Sequence, residues 1–513
     1  MGTTHAFSTG PVLFRSTPTS PAERPLRDEL LSVERLEERA KSLAARFTVG
    51  QPRGRAKRLA PRLRENARVL RGAYSALAED LHHGRFVTPP AEWLLDHFHL
   101  VSAEIRAVRQ HLPRRYYREL PRLPQREWQG HARIYAMALE LIRHSDSRLD
   151  KRQLTRFISS FQSVAPLTIG ELWAWPSILK IALIENLRRL AEEILEARSA
   201  RHAADAFMTA CEGQSAPCML PPDCSTAFIV RLLQRMREHG TEVSALHDAI
   251  EEHLRTRGST VEEAIRTEYQ HQAAAQVSVS NALTSLRLTS TLNWSDYFES
   301  VSLVEQVLQR DPAGAYAAMD FLSRDRVRQA VEELAAPTGE AQVSVALKAV
   351  DTARQAVEAG GMGTPAAHVG HHLVGDGRRD LELDIGYRPK LSRHARRFAL
   401  RWPNLVYFSS IGLLTTLLVA VGAFYVGLYG ASRATAIWTA LLLLIPATEV
   451  AIVFVQRLLA MFIRPRRLLR LDFEHGLPQD ARTMVIVPVM LTSTVEVDEL
   501  YSFVGKKRSA SIS

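Results

Sequence analysis

The sequence predicts an all-α protein: a multi-helix cytoplasmic region, a two-span transmembrane helical hairpin, and a short incomplete α/β tail. Three observations carry this. Apolar residues recur at three-, four- and seven-residue steps through most of the region before residue 360, the period of buried helix faces. Convincing strand patterning is absent before residue 480. Two long apolar stretches, 405–428 and 436–454, lie late in the chain with only a short loop between them.

The first stretch, LVYFSSIGLLTTLLVAVGAFYVGL, carries no charge and exceeds the ~20 helical residues that cross a hydrocarbon core of ~30 Å. The second, AIWTALLLLIPATEVAIVF, carries one charge, Glu449. So short a connection implies a tight hairpin with both ends on one side. Arg388, Lys390, Arg393, Arg396, Arg397 and Arg401 precede the pair, and Arg457, Arg464, Arg466, Arg467 and Arg470 follow it, against Arg433 alone in the loop. By the positive-inside rule both flanks are cytoplasmic, giving a multi-pass protein with cytoplasmic N- and C-termini. Two buried helices of a soluble core are the competing reading. The uniformly apolar first stretch and the basic flanks oppose it.

A chain of 513 residues holds two or three domains, and 46% hydrophobic residues is ordinary for a globular protein, so the membrane part is a minority. The net charge of +10 and pI near 9.7 would suit nucleic acid, but no zinc finger, RNA-recognition sequence or basic-aromatic ladder accompanies them. The densest basic clusters flank the spans, where anionic lipid headgroups are the simpler partner, so the bilayer is expected and nucleic acid is not. The three cysteines, Cys211, Cys218 and Cys224, lack zinc-site spacing and read as free thiols. The first 25 residues have no apolar core, which excludes a secretory signal, and Gly2 with Ala6 misses the Ser/Thr of a myristoylation sequence.

In order, residues 1–54 read as a disordered or charged segment and 55–210 as a helical domain. A loop, 211–225, precedes a second helical region, 226–400, with a basic juxtamembrane end. Leu59, Leu63, Leu70, Leu77 and Leu81 place one apolar face on the first clear helix, and 92–111 carries Trp93, Leu94, Phe98, Val101, Ile105 and Val108. Helices follow over 134–144 and 151–164. The best-defined one, 168–198, opens on a Thr168/Glu171 capping box, has Pro176 as an expected kink, and sets Glu185 and Glu192 beside Arg188, Arg189 and Arg198 on its wet side. Further helices are expected over 226–238, 244–257, 259–275, 294–309, 324–334 and 343–359, with Ser323 as a cap, while 277–291 is ambiguous but favours helix. After the spans, 456–471 reads as a basic interfacial helix. Residues 483–491, TMVIVPVML, read as a buried strand with nothing to pair with in the 472–513 tail.

Four groups bear on chemistry. Glu449 is the one candidate for a functional intramembrane residue, as a proton relay or the lining of a polar path, against a bland reading as a group paired within a helix bundle near Pro446. His368 and His372 are four apart, but no acidic partner accompanies them and Gly370 weakens a helix, so no metal ligands are assigned. Gly375-Asp376-Gly377 reads as a turn. Trp173, Trp175, Tyr116 and Tyr117 could stack on sugar rings, though aromatics at helical spacing are more often core. No catalytic, cofactor-binding or metal residue is assigned.

Several segments resemble the N-terminal portion of bacterial cyclic β-1,2-glucan synthases: LAPRLRENARVLRGAYSALAEDLHHGRFVTPPA at 59–91, EWLLDHFHLV and LPRRYYREL within 92–120, PLTIGELWAWPSILKIALIENLRRLAEEI at 166–194, and WSDYFESVSLVEQVLQRDPAGAYAAMDF within 293–334. RLDFEHGLPQDARTMVIVPVMLTS at 470–493 resembles the start of that family's glycosyltransferase domain. The resemblance runs from about 55 to 495 and implies a bacterial inner-membrane enzyme that lengthens a β-1,2-glucan from UDP-glucose and then cyclises it. It also implies a GT-A domain whose carboxylates manage a divalent metal. From about Val495 the chain departs from the pattern, so 472–513 is expected to be a truncated start of that domain. A metal-dependent sugar-nucleotide transferase needs paired carboxylates, typically Asp-x-Asp, and none occurs. Arg401-Trp402 has Phe398 where a Gln-x-x-Arg-Trp motif needs Gln.

UDP-glucose and a divalent metal are therefore implied only for the missing domain, and this chain alone is expected not to transfer glucose. The alternative is a stand-alone helical scaffold or regulator of a separately encoded synthase. A membrane hydrolase has no nucleophile–base arrangement to support it. A glucan synthase catalytic portion is the expected protein partner, and an oligomer is left open.

Overall fold

Residues 169–191, the first half of the long helix 169–212, are apolar on most sides, and a helix of that kind must be surrounded. In the computed structural model it is. The structure describes residues 24–49, 59–125, 127–212, 219–239, 244–388, 398–430, 432–462, 468–473 and 476. The helices before the apolar pair are α1 (Val33–Arg46), α2 (Leu59–His82), α3 (Pro89–Asp96), α4 (Phe98–His111), α5 (Arg114–Glu119), α6 (Arg133–Ser145), α7 (Lys151–Gln162), α8 (Ile169–Glu212) and α9 (Thr226–His239). They continue with α10 (Ser244–Thr256), α11 (Val261–Thr291), α12 (Trp294–Val301), α13 (Leu303–Leu308), α14 (Phe321–Thr338), α15 (Gln342–Gly360), α16 (Val369–Leu373) and α17 (Arg378–Asp384). Among the described residues there is no sheet, only isolated bridges between Arg122 and Ala132 and between Met319 and Leu471.

α8 is the axis. Its 44 residues make a rod of about 66 Å at ~1.5 Å per residue. Thr168 and Glu171 form the expected capping box: the Glu171 amide donates to Thr168 Oγ1 at 3.1 Å, and the Thr168 amide donates to Glu171 Oε2 at 2.9 Å. The N-terminal half buries Trp175, Leu179, Leu183, Leu187 and Leu190 against α2, α4, α6 and α11. Replacing one such leucine by alanine would cost ~2–5 kcal/mol. The core built on this half also takes residues from α1, α7 and α12–α17. The C-terminal half carries Ala204 and Met208 into a second cluster with Phe228, Leu232, Ile250 and Ala264.

Several expected helices differ in extent, each for a local reason. Within the segment read as disordered or charged, Val33–Arg46 is a helix, opened by Ser32, which accepts the Arg35 amide, and buried through Leu36, Ala40 and Leu43. The helix expected over 92–111 is two, broken at His97, and 294–309 is split at Ser302, which ends α12 and caps α13. α14 is capped by Asp320, one turn ahead of the expected Ser323, and Ser323 lies inside the helix. The ambiguous 277–291 stretch is the second half of α11, whose start carries a Thr260/Glu263 capping box. Pro176 lies inside α8, which is assigned as one helix through it and runs beyond residue 198 to Glu212.

Some side chains are also placed otherwise than expected. Leu81 is exposed at the end of its helix rather than buried. Glu185 is fully buried, not on a wet face, because Arg62 arrives from α2 to meet it. Arg198 pairs with Asp80, leaving Glu192 to Arg188. Cys224 is a free buried thiol, but Cys211 is disulfide-bonded, since spacing in sequence does not report proximity in space. The N-terminal segment 1–23, Cys218 and the strand expected at 483–491 lie outside the described residues.

Candidate functional site

Two apolar helices, Pro403–Leu428 and Arg433–Phe462, leave the helical body as an antiparallel pair. The first measures about 39 Å at ~1.5 Å per residue, enough to cross a ~30 Å hydrocarbon core. Core helices of a soluble protein would be enclosed. Here only 6% and 11% of the two apolar windows are buried, which opposes the soluble-core reading.

The pair meets along a seam of small side chains. Ala447, Ala451 and Val455, at four-residue spacing, are buried with Thr415 of the opposite helix. Gly422 lets Leu443 approach so closely that a Cβ there would displace the leucine's terminal carbon. Gln456 Nε2 donates to the Tyr407 hydroxyl across the pair at 3.2 Å. Small residues bring backbones close where no hydrophobic gain exists in lipid. Glu449 is exposed, and no hydrogen bond or ion pair reaches it from the described residues.

Both ends of the pair are tied to the same body. On the near side Tyr387 closes the main core; on the far side Leu469 packs against it. Of the basic helix expected over 456–471, the part to Phe462 continues the second apolar helix, while 468–471 is extended. That extended strap lies antiparallel to the residues before α14. The Asp320 amide donates to the Arg470 carbonyl at 3.0 Å and the Asp472 amide to the Ala318 carbonyl at 2.8 Å. The Arg470 amide donates to Ser323 Oγ at 2.8 Å. Asp320 itself receives the Ser323 amide and lies near Arg470 and Arg324, and the Ser323 bond leads in holding its carboxyl below the usual range.

Beneath this foot sits a buried charge network. Arg328 is fully enclosed, bonded to Glu305 at 2.8 Å and Glu299 at 3.3 Å, and packed over the rings of Phe298 and Phe321. The Tyr316 hydroxyl donates to Glu305 at 2.6 Å. These contacts hold α12, α13 and α14 together.

The remaining sequence candidates are structural. His368 Nδ1 meets Asp311 Oδ2 at 2.8 Å, and the amides of Val369 and Tyr316 also donate to Asp311. Burial pushes the Asp311 carboxyl up, but these donors more than offset it and hold it below the usual range. His372 Nε2 meets the Ala366 carbonyl instead of sharing a ligand with His368, and its imidazole is pushed down by burial. Among the described residues no three His, Cys, Asp or Glu are gathered as metal ligands. Gly375-Asp376-Gly377 is a turn, as read. Trp175 and Tyr117 are buried, Trp173 stacks on Phe298 at 4.6 Å, and Tyr116 donates to the Gly170 carbonyl, so the four make no open sugar platform. A cavity of about 600 Å³ beside α8 is lined by Arg24, Arg27, Arg189, Glu192 and His271, among others, and so by charges of both signs.

The Asp311–His368 tie and the strap were missed in the sequence. Asp311 falls between the helices expected over 294–309 and 324–334, where no pattern marks a role, and nothing local marks a six-residue segment that pairs with a site 147 residues earlier.

The fold and this site define a class: a helical body tied at both ends of a pair of helices long and apolar enough to cross a membrane. No protein-family profile matches the chain. The chain is homologous to the N-terminal part of the cyclic beta-(1,2)-glucan synthase NdvB of Rhizobium meliloti (strain 1021), with 34% identity over 492 residues. That alignment takes in 93% of this chain and 17% of the length of NdvB.

Proposed function

We propose that this chain is the membrane-anchored N-terminal part of a cyclic β-1,2-glucan synthase, whose helical body positions the catalytic part at the bilayer surface. The observation that supports this most directly is the strap. Residues 468–473 are bonded to Ala318, Asp320 and Ser323 where the stretch that resembles the start of a transferase domain, 470–493, begins. A chain held there emerges from the second span at a set place on the body instead of trailing from it.

In this reading the pair is a two-span hairpin with both flanks and the body in the cytoplasm, since the arginines lie on the flanks. Transfer from UDP-glucose, with its divalent metal, belongs to the catalytic part, because the 513 residues contain no Asp-x-Asp. Glu449 is then a contact or relay residue within the membrane, not a catalytic one.

Membranes containing this chain alone, incubated with labelled UDP-glucose and Mg²⁺ or Mn²⁺, are expected to make no β-1,2-glucan. Glucan made by this chain alone would overturn the assignment. Co-expression with a synthase lacking its own N-terminal part tests the positioning role. Glucan synthesis should return with the unaltered chain and fall several-fold with Leu469→Asp; no restoration at all would remove that role.

A further inference from the structure

A carbonyl oxygen only accepts, so the 2.8 Å contact between His372 Nε2 and the Ala366 carbonyl places the ring proton on Nε2. Nδ1 is then a bare lone pair. His372 is only 6% exposed, and its Nδ1 has no hydrogen-bond partner among the described residues. Buried polar atoms are normally satisfied. An imidazole whose one N–H is held by a backbone carbonyl, with the other nitrogen bare, is arranged as a metal ligand is.

A second imidazole nitrogen borders the same space. His371 stands edge-on to His372, with ring centroids 5.2 Å apart, in α16. Gly377, just ahead of α17, packs against both rings: a Cβ there would lie 2.9 Å from His371 Nε2 and 2.9 Å from His372 Nδ1. Its φ of −68° suits any residue, so the turn itself does not call for glycine. The two nitrogens flank the room that a missing side chain leaves. His368 also carries a bare Nε2, but that ring lies over Gly370 with its Nδ1 held by Asp311, outside the pair. Asp380, in the first turn of α17, lies close enough to act on the charge of His372.

Two protein nitrogens are too few for a closed structural zinc site, and they suit an ion that keeps water in its other positions. Imidazole selects zinc, copper, nickel and iron over magnesium and calcium, which take oxygen. We propose that His371 Nε2 and His372 Nδ1 bind a first-row divalent metal ion of the imidazole-seeking kind beside Gly377. The ion sits at the corner between α16 and α17, the last helices before the chain leaves for the apolar pair. The site belongs to the helical body and needs no bilayer.

ZnCl₂ would be titrated by calorimetry into the full chain in detergent near neutral pH, with carbethoxylation of His371, mapped by mass spectrometry, as the local readout. Zn²⁺ is expected to bind and to protect His371. His371→Ala should weaken binding by more than the ~10–100-fold that loss of an outer partner of a metal-bound histidine costs. Gly377→Ala puts a methyl group into the space and should abolish the protection, with helical circular dichroism unchanged. His247→Ala, an exposed histidine of α10, should alter neither readout. Equal modification of His371 with and without Zn²⁺ overturns the site, as does a His371→Ala chain that binds Zn²⁺ undiminished or protection that survives Gly377→Ala. If Gly377→Ala fails to fold, the half-buried His371 still carries the test through its own substitution.

Discussion

Glu185 lies inside the body with its carboxylate gripped by Arg62 from α2, by Arg189 one turn along α8 at 2.9 Å, and by the Tyr135 hydroxyl at 3.2 Å. Burial alone would push its carboxyl up, but the arginines more than offset that and hold it below the usual range. Removing one side of a buried pair leaves the other charge uncompensated, so Glu185→Gln should destabilise the body by about 3 kcal/mol, measured by denaturant unfolding followed by near-UV circular dichroism. Asp311 adds a second depressed carboxyl. For groups of this sign the stabilisation is present above the unfolded values near ~4 and is lost as pH falls through the lower folded values. The melting temperature should therefore drop below about pH 4, and Glu185→Gln and Asp311→Asn should each flatten that drop while lowering the plateau at neutral pH. Sequence reading paired Glu185 with Arg189 correctly, since four-residue spacing is local. It put them on a wet face because Arg62, 123 residues away, leaves no trace in the local pattern.

Among the elements, legibility followed the length and strength of the apolar period. The first part of α8 and the apolar pair were readable because many turns repeat one signal, and the Thr168 capping box marked one start, whereas α11 was read as a helix over 259–275 followed by an ambiguous stretch. Breaks at His97 and Ser302 were not readable, because the apolar spacing continues across them while the backbone turns. The seam between the apolar helices was equally silent, since alanine is as acceptable facing lipid as facing a helix. Its geometry makes a prediction. Ala451 is fully buried there, so Ala451→Leu should overpack the pair at a cost of ~1–3 kcal/mol. Cysteines in place of Tyr407 and Gln456, whose side chains touch, should then cross-link several-fold more slowly than with Ala451 intact. Gly422→Ala should be milder, because the atom in its way is the mobile end of Leu443.

For the whole molecule the strap is the feature that makes body and membrane pair one object. Leu469 is partly buried against the main core, and losing such a contact costs about 1–2 kcal/mol, roughly tenfold in local opening. Leu469→Asp should accordingly raise tryptic cleavage after Arg470 about tenfold, read by mass spectrometry, while the melting of the body stays within a few degrees. Of this candidate site, the spans and Glu449 were legible as composition, but the strap was not, because its partners are brought together only by the complete fold. The strap also carries a timing consequence. Ser323 and Arg470 are 147 residues apart, so at ~5–20 residues per second their bond waits roughly 7–30 s of synthesis. Throughout that interval the backbone groups of Ala318 and Asp320 that the strap will occupy stand open on a nascent body. The apolar pair is therefore synthesised before the helical body can be completed, and a chain that fails to bring the strap back would leave that edge unpaired.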